Sequence, residues 1–374
     1  MRIFLVIGSK AASVSSSNIY CDNVYQSLQH AGYDVVLYNF EKALILNSKR
    51  NISNQKEFWS NDILEKFNAA HNYKKIDVFF SFIDQTVVYD YVIEKISTSV
   101  YTINYTTNFH QFNLIKDISK KFNLNTYISL PAKKAFDAEG VNSYWMPMAA
   151  NPRLYRPSEY KKNVVSFVGT SYGNRPYYLW RLLQLGVDLK IYGPHWRPKS
   201  GSQQFLRNIF EPLLYIFGQK KDKLNFLNRN MRRIIIETIN KEYPNQIHDA
   251  LSDEAMIEVL AQSELVINIP ESRFNHDFLN PNLLLAANFR DFEVPMSGSC
   301  LVTQFNEEII QFYEPGVEVL TFSGETELAD KILYYSTNLS QAREIARNGL
   351  RRALAEHTWE SRFDRLFKSL HLIR

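Results

Sequence analysis

The residues best suited to chemistry lie late in the chain, in the stretch Asn282–Phe305, NLLLAANFRDFEVPMSGSCLVTQF. Arg290 and Glu293 stand near the start of a predicted short helix. Gly298 ends that helix, and the apolar run from Cys300 follows as a strand. The first turn of a helix carries N–H groups without intrahelical partners and a partial positive charge. An arginine and a carboxylate at that turn suit a ligand with both phosphate and sugar hydroxyls. The N–H groups and Arg290 take phosphate oxygens, and Glu293 accepts from a ribose hydroxyl. The competing reading is an i,i+3 ion pair on a helix surface. Asp291 and Glu293 also form an acid-x-acid pair, but late in the chain and on a helix, which argues against a cation held between phosphates.

Three further groups add to this one. Phe167-Val-Gly-Thr-Ser-Tyr-Gly-Asn-Arg175 joins a strand to a helix. There Gly169 lets the backbone approach a ligand, Thr170 and Tyr172 share the turn, the helix start faces a phosphate and Arg175 offers a fork for a diphosphate. The alternative is a turn glycine beside a surface arginine. Ile191-Tyr-Gly-Pro-His-Trp196 ends another strand at Gly193. Either Tyr192 or Trp196 stacks on a nucleobase, or Trp196 fills a core gap. Asn268 and Glu271 follow a third strand in ligand-facing positions, and Arg273, Asn275 and His276 in the next loop are placed to reach a sugar.

The elements that must position these residues are α/β units. With 374 residues, 45% hydrophobic and 22% charged, the chain has material for two domains with full cores. A net charge of +4 is too small to argue for nucleic acid. Cys21 and Cys300 stand too far apart in sequence to suggest a disulfide framework or zinc site, and the eight histidines show no metal-ligand spacing. MRIFLVIGSK reads as a first strand rather than a signal peptide, and no apolar run is long enough to span a membrane. No nucleophile elbow, Walker loop or kinase signature is present.

Strands are expected at about 2–8, 34–40, 76–83, 99–105, 126–130 and 144–147, with helices between them, which makes one complete doubly wound domain over 1–150. The loop 8–17 lacks the further glycines of a dinucleotide fingerprint. Two prolines in 148–157 mark a linker. A second series follows over 151–358, with strands at 164–168, 188–192, 265–269, 300–303 and 317–322. It carries a basic, apolar insertion over about 199–243, which reads as a helical pair packed on its own domain or as a surface for anionic membrane. Three helices close the chain.

Arg290-x-x-Glu293, followed by small residues, Gly298 and a strand, resembles the donor-site signature of GT-B glycosyltransferases. It is most similar to the CgeB-like branch, named for a spore-coat maturation protein. The F-x-G of 167–169 with Arg175, the I-x-G-x-x-W of 191–196, Asn268 and the ending Glu356-His-Thr-Trp-Glu-Ser-Arg362 are similar as well, so the resemblance covers roughly the second half of the chain. It implies a GT-B fold of two tandem Rossmann-like domains with a cleft between them, and a last helix, 359–374, crossing back to the first domain. It also implies transfer of a sugar from a UDP- or GDP-linked donor, without a metal or other cofactor, to a glycan, lipid-linked or protein acceptor. The site would be cytoplasmic or peripheral at the inner membrane face. The first domain would supply the acceptor's base, with His110 and Asp84 as candidates just beyond strand ends; a surface-loop role is the alternative for each. Many retaining members carry two glutamates eight positions apart. Glu293 matches the second, but Leu285 stands at the first, which leaves the stereochemistry open. Two rival readings are a non-catalytic carbohydrate- or nucleotide-binding protein of surface-layer assembly and a GT-B-fold nucleotide-sugar epimerase.

Overall fold

The computed structural model describes residues 1–8, 17–47, 54–107, 112–198, 220–271 and 285–373. The chain forms two compact units, Met1–Leu154 with Glu356–Arg374, and Tyr155–Ala355.

The first unit runs β1 (Arg2–Ile7), α1 (Ile19–His30), β2 (Asp34–Asn39), α2 (Phe40–Leu46), α3 (Gln55–Tyr73), β3 (Val78–Ser81), α4 (Asp90–Ser97), β4 (Tyr101–Thr106), α5 (Phe112–Ser119), β5 (Leu124–Tyr127), α6 (Lys133–Ala138) and β6 (Ser143–Trp145). All pairings are parallel, in the order β2-β1-β3-β4-β5-β6. Parallel sheets are covered on both faces, so their inner strands are apolar without alternation. Ile3 to Ile7 of β1 are each at most 1% exposed. On one face Phe4 packs against Phe67 of α3, edge to face at 5.5 Å.

The second unit runs β7 (Lys162–Val168), α7 (Arg175–Gln184), β8 (Leu189–Tyr192), α8 (Lys220–Glu242), β9 (Ile247–His248), α9 (Asp253–Gln262), β10 (Ser263–Asn268), α10 (Phe289–Met296), β11 (Cys300–Gln304), β12 (Leu320–Phe322), α11 (Glu325–Thr337) and α12 (Leu339–Glu356). Its parallel sheet has the order β12-β11-β10-β7-β8-β9. Counted from its own first strand, this is the doubly wound order 3-2-1-4-5-6 read from the other edge. The order reverses between β7 and β10, and open α/β sheets bind ligands outside the carboxyl ends of the strands at such a point. Five of these strands are legible as apolar runs. The sixth, β9, has two residues, too few for a periodicity to show. The insertion over 199–243 is described only from residue 220 onward. There α8 packs on its own unit: Ile239 is fully buried, and Asn240 Nδ2 donates to Trp196 O at 2.7 Å.

The last helix, α13 (Trp359–Ser369), belongs to the first unit. Phe363 meets Phe80 of β3 at 5.6 Å, and Trp359 meets Tyr105 of β4 at 5.8 Å. Buried Arg362 donates to the carbonyls of Pro147, Met148 and Glu356. The helix thus covers the second face of the first sheet. Phe363→Ala is expected to destabilise the first unit by about 3–5 kcal/mol, the usual cost of emptying a buried aromatic site. Denaturant unfolding should show this as a lowered midpoint, while Phe363→Leu should keep most of the stability.

Candidate functional site

The carboxyl ends of β7, β10 and β11 carry the polar groups of the second unit, and α10 aims them. Asn288 caps that helix. Its Oδ1 accepts from Arg290 N at 2.9 Å, and Asp291 Oδ2 accepts in return from Asn288 N at 2.9 Å, a reciprocal capping box. This cap is internal. Asp291 is 0% exposed, and its Oδ1 accepts from Asn268 Nδ2 at 2.8 Å and from Thr303 Oγ1 at 2.7 Å. The helix start is therefore tied to the last residue of β10 and to β11. Burial pushes the Asp291 carboxyl up to about 6, against the hydrogen bonds from Asn288, Thr303 and Asn268, which pull it down.

Arg290 and Glu293 follow on the same helix. Glu293 is 1% exposed; its Oε2 pairs with Arg290 Nη1, and its Oε1 accepts from Tyr155 Oη at 2.5 Å. Arg290 Nε donates to the last carbonyl of β7, Val168 O, at 3.3 Å. The arginine side chain keeps 20% exposure. The i,i+3 pair is real, but it is no surface pair. Its carboxylate is inside, and the arginine's Nη2 donates to Met256 Sδ at 2.8 Å, so all three guanidinium nitrogens are held at the sheet's switch point.

The turn after β7 is built by close backbone approach. Gly169 N donates to Tyr192 O at 2.9 Å, and Gly193, with φ +142°, lies so near Gly169 O that a Cβ would overlap it. Trp196 Nε1 donates to that same Gly169 O at 2.7 Å. Trp196 is 1% exposed and stands edge-on to Phe167 at 5.8 Å. Its ring fills a core gap, one of the two alternatives the sequence leaves open. Tyr192 is half-buried and stacks on His248 with ring centroids 4.7 Å apart.

Arg175 is also turned inward. It is 6% exposed, donates to Ile269 O through Nε at 3.0 Å and Nη2 at 2.7 Å, and reaches Thr170 O through Nη1 at 3.0 Å. The ring of half-buried Tyr172 lies 3.8 Å from its guanidinium carbon. Arg175 therefore clamps the turn to the end of β10. The helix starts have internal contacts as well. Asn174 N, at the start of α7, donates to Glu271 Oε2 at 2.6 Å, and Arg290 N is taken by the Asn288 side chain. Each start thus gives one N–H to an internal acceptor, and the Arg290 guanidinium beside the α10 turn is itself held by Glu293, Val168 O and Met256 Sδ.

In the first unit, Asp84 Oδ1 accepts from Thr86 N at 2.8 Å and from Thr86 Oγ1 at 2.5 Å, a turn cap after β3. His110, Arg273 and His276 lie outside the described residues. Sequence reasoning missed Tyr155, which is 138 residues from Glu293 and carries no local signal. It also missed the cap. The pattern Asn288-x-x-Asp291 before apolar residues is a capping-box signal that could have revealed it.

A family model described as glycosyl transferase-like matches residues 179–368, more than half of the 374 residues. No curated protein matches the sequence at a significant level. Among solved structures, sucrose-phosphate synthase from Thermosynechococcus elongatus superposes with a TM-score of 0.59 at 13% identity, over 100% of both chains. The Anabaena protein Alr3699/HepE, in complex with UDP and glucose, gives a TM-score of 0.61 at 11% identity, over 99% of this chain and 100% of its own. AviGT4, a glycosyltransferase involved in avilamycin A biosynthesis, gives 0.57 at 13% identity, over 98% and 96%. The architecture shared with these proteins is the GT-B fold.

Two outcomes test the geometry. Gly193→Ala places a Cβ against Gly169 O at a left-handed backbone position and should cost about 1 kcal/mol or more in denaturant unfolding. The Asp291 carboxyl has an ordinary pKa of 3.8 and is raised to about 6 in the fold. The folded protein thus binds that proton more tightly, and the associated stability, present at low pH, is lost as the pH rises through this window. Unfolding measured between about pH 4 and pH 7 should show a relative loss in wild type that Asp291→Asn lacks.

Proposed function

The chain belongs to the glycosyl transferase-like family, and from that premise we propose that it moves a sugar from a nucleotide-sugar donor, UDP- or GDP-linked, to a glycan, lipid-linked or protein acceptor. Within the GT-B glycosyltransferases we place it in the CgeB-like branch, on the Arg290-x-x-Glu293 pattern and the ending Glu356–Arg362.

One observation carries the donor assignment: a partly exposed arginine side chain, its guanidinium anchored by Glu293, Val168 O and Met256 Sδ, where the strand order of the second sheet reverses. Leaving-group charge builds on the diphosphate during glycosyl transfer, and a pre-oriented cation stabilises it without reorganising. Arg290 supplies that cation. Glu293 fixes the fork, and a carboxylate has lone pairs beyond the two contacts it makes here, so it can also accept from the ribose. The reading is metal-independent, because Asp291 is held inside the capping box and the arginine provides the positive charge. Tyr192, stacked on His248 at the end of β8, is the aromatic group for the base. For the acceptor's proton the candidates are Asp84 and His110. UDP and UDP-glucose complexes of Alr3699/HepE support the choice of a uridine donor.

No helix among the described residues is long and apolar enough to cross a membrane. We place the enzyme in the cytoplasm, in cell-surface polysaccharide assembly. Exposed Met231 and Ile234 beside Arg233 on α8 suit peripheral contact with the inner membrane face.

Thermal shift with UDP, GDP, CMP, dTDP and ADP should single out UDP or GDP by a raised melting point. Arg290→Lys keeps the charge that Glu293 needs but loses the planar fork, and should weaken that nucleotide about tenfold with the protein still folded. Unchanged binding in this variant places the donor elsewhere.

A further inference from the structure

Glu271, ligand-facing by its place after β10, has no role in the donor assignment, yet it is a costly residue to place where it stands. It follows β10, is 3% exposed, and its backbone pairs antiparallel with Leu285. Its Oε2 accepts from Asn174 N at 2.6 Å. Its Oε1 is buried without a hydrogen-bond partner among the described residues. The turn is shaped around the carboxylate: Gly173 has φ +60°, and a Cβ there would overlap Oε2. Nearby Arg175 gives hydrogen bonds to Ile269 O and Thr170 O. Burial raises the Glu271 carboxyl, against Asn174 and Arg175, which lower it.

A buried carboxylate oxygen without a donor is unfavourable, and native proteins carry few such atoms. This one lies at the switch point, where β7 and β10 end and where the donor reading puts the nucleotide sugar. Among the described residues Oε1 has no hydrogen-bond partner, and a ligand at this strand end could supply one. A phosphate would repel a carboxylate. A hydroxyl would not, and hydrogen bonds to charged acceptors are the stronger kind. We infer that Glu271 binds a hydroxyl of the donor through Oε1, while Oε2 holds the turn between β7 and α7 in register for it. This rests on the donor assignment of Proposed function.

The test is calorimetric titration of the full chain with UDP-glucose and with UDP, in wild type and in Glu271→Gln, which keeps the shape and removes the anionic acceptor. Glu271→Gln should weaken UDP-glucose binding about tenfold or more. If UDP binds as in wild type, the hydroxyl belongs to the transferred sugar; if UDP weakens equally, it belongs to the ribose. A second titration uses deoxy analogues, each lacking one hydroxyl of that sugar. One analogue should lose about tenfold on wild type and less than about twofold on Glu271→Gln, because the same contact cannot be lost twice. Equal losses on both proteins for every analogue would make Glu271 merely structural and overturn the inference. Wild-type affinities in Glu271→Gln would overturn it as well and leave the donor assignment standing. Wild type that binds neither UDP-glucose nor UDP, nor GDP-glucose nor GDP titrated in the same way, overturns the donor assignment together with the inference.

Discussion

The second unit depends on one buried polar contact set: the Asp291 carboxylate, held by Asn288, Asn268 and Thr303. Each partner comes from a different place in the chain, so a single carboxylate registers the start of α10 against two central strands. Satisfying it fully matters, because a half-paired buried acid would destabilise the unit more than an apolar side chain would. Once α10 is fixed, the rest follows from helical spacing. Arg290 falls over the end of β7, and Glu293 falls inward, where Tyr155 meets it.

That arrangement separates two uses of charge. At α7 and at α10 the helix starts are answered from within, by Glu271 and by Asn288. Arg175 is likewise turned on the backbone. These contacts hold the loops at the strand ends against one another. The Gly169–Gly193 approach, sealed by the Trp196 indole, does the same on the other side of β7. The partly exposed Arg290 side chain stands beside these contacts, its guanidinium held by Glu293, Val168 O and Met256 Sδ. A rigid cation on secondary structure suits a charge that develops at one place during reaction.

The architecture was largely legible in the sequence, because parallel strands buried on both faces appear as unbroken apolar runs between turn residues. β9 escaped because two residues make no pattern. The Arg290 and Glu293 turn was legible from type and spacing. What spacing cannot give is direction. Which end of the pair is buried depends on Tyr155, far upstream, and the aim of Arg175 depends on Ile269 O at the end of another strand. A Gly-Pro turn followed by tryptophan fits a stacking platform and a core plug equally. The choice is made by Gly169 O, which the indole N–H finds at 2.7 Å. His110, Arg273 and His276 fall outside the described residues, so the fold adds nothing to their reading.

The central claim is that the donor's diphosphate lies against Arg290, outside the carboxyl ends of β7 and β10. A crystal structure of the protein with UDP bound tests it most directly. The account requires a phosphate oxygen about 3 Å from the Arg290 guanidinium, with Glu293 still paired behind it. UDP bound away from this strand end, with Arg290 untouched, would contradict it.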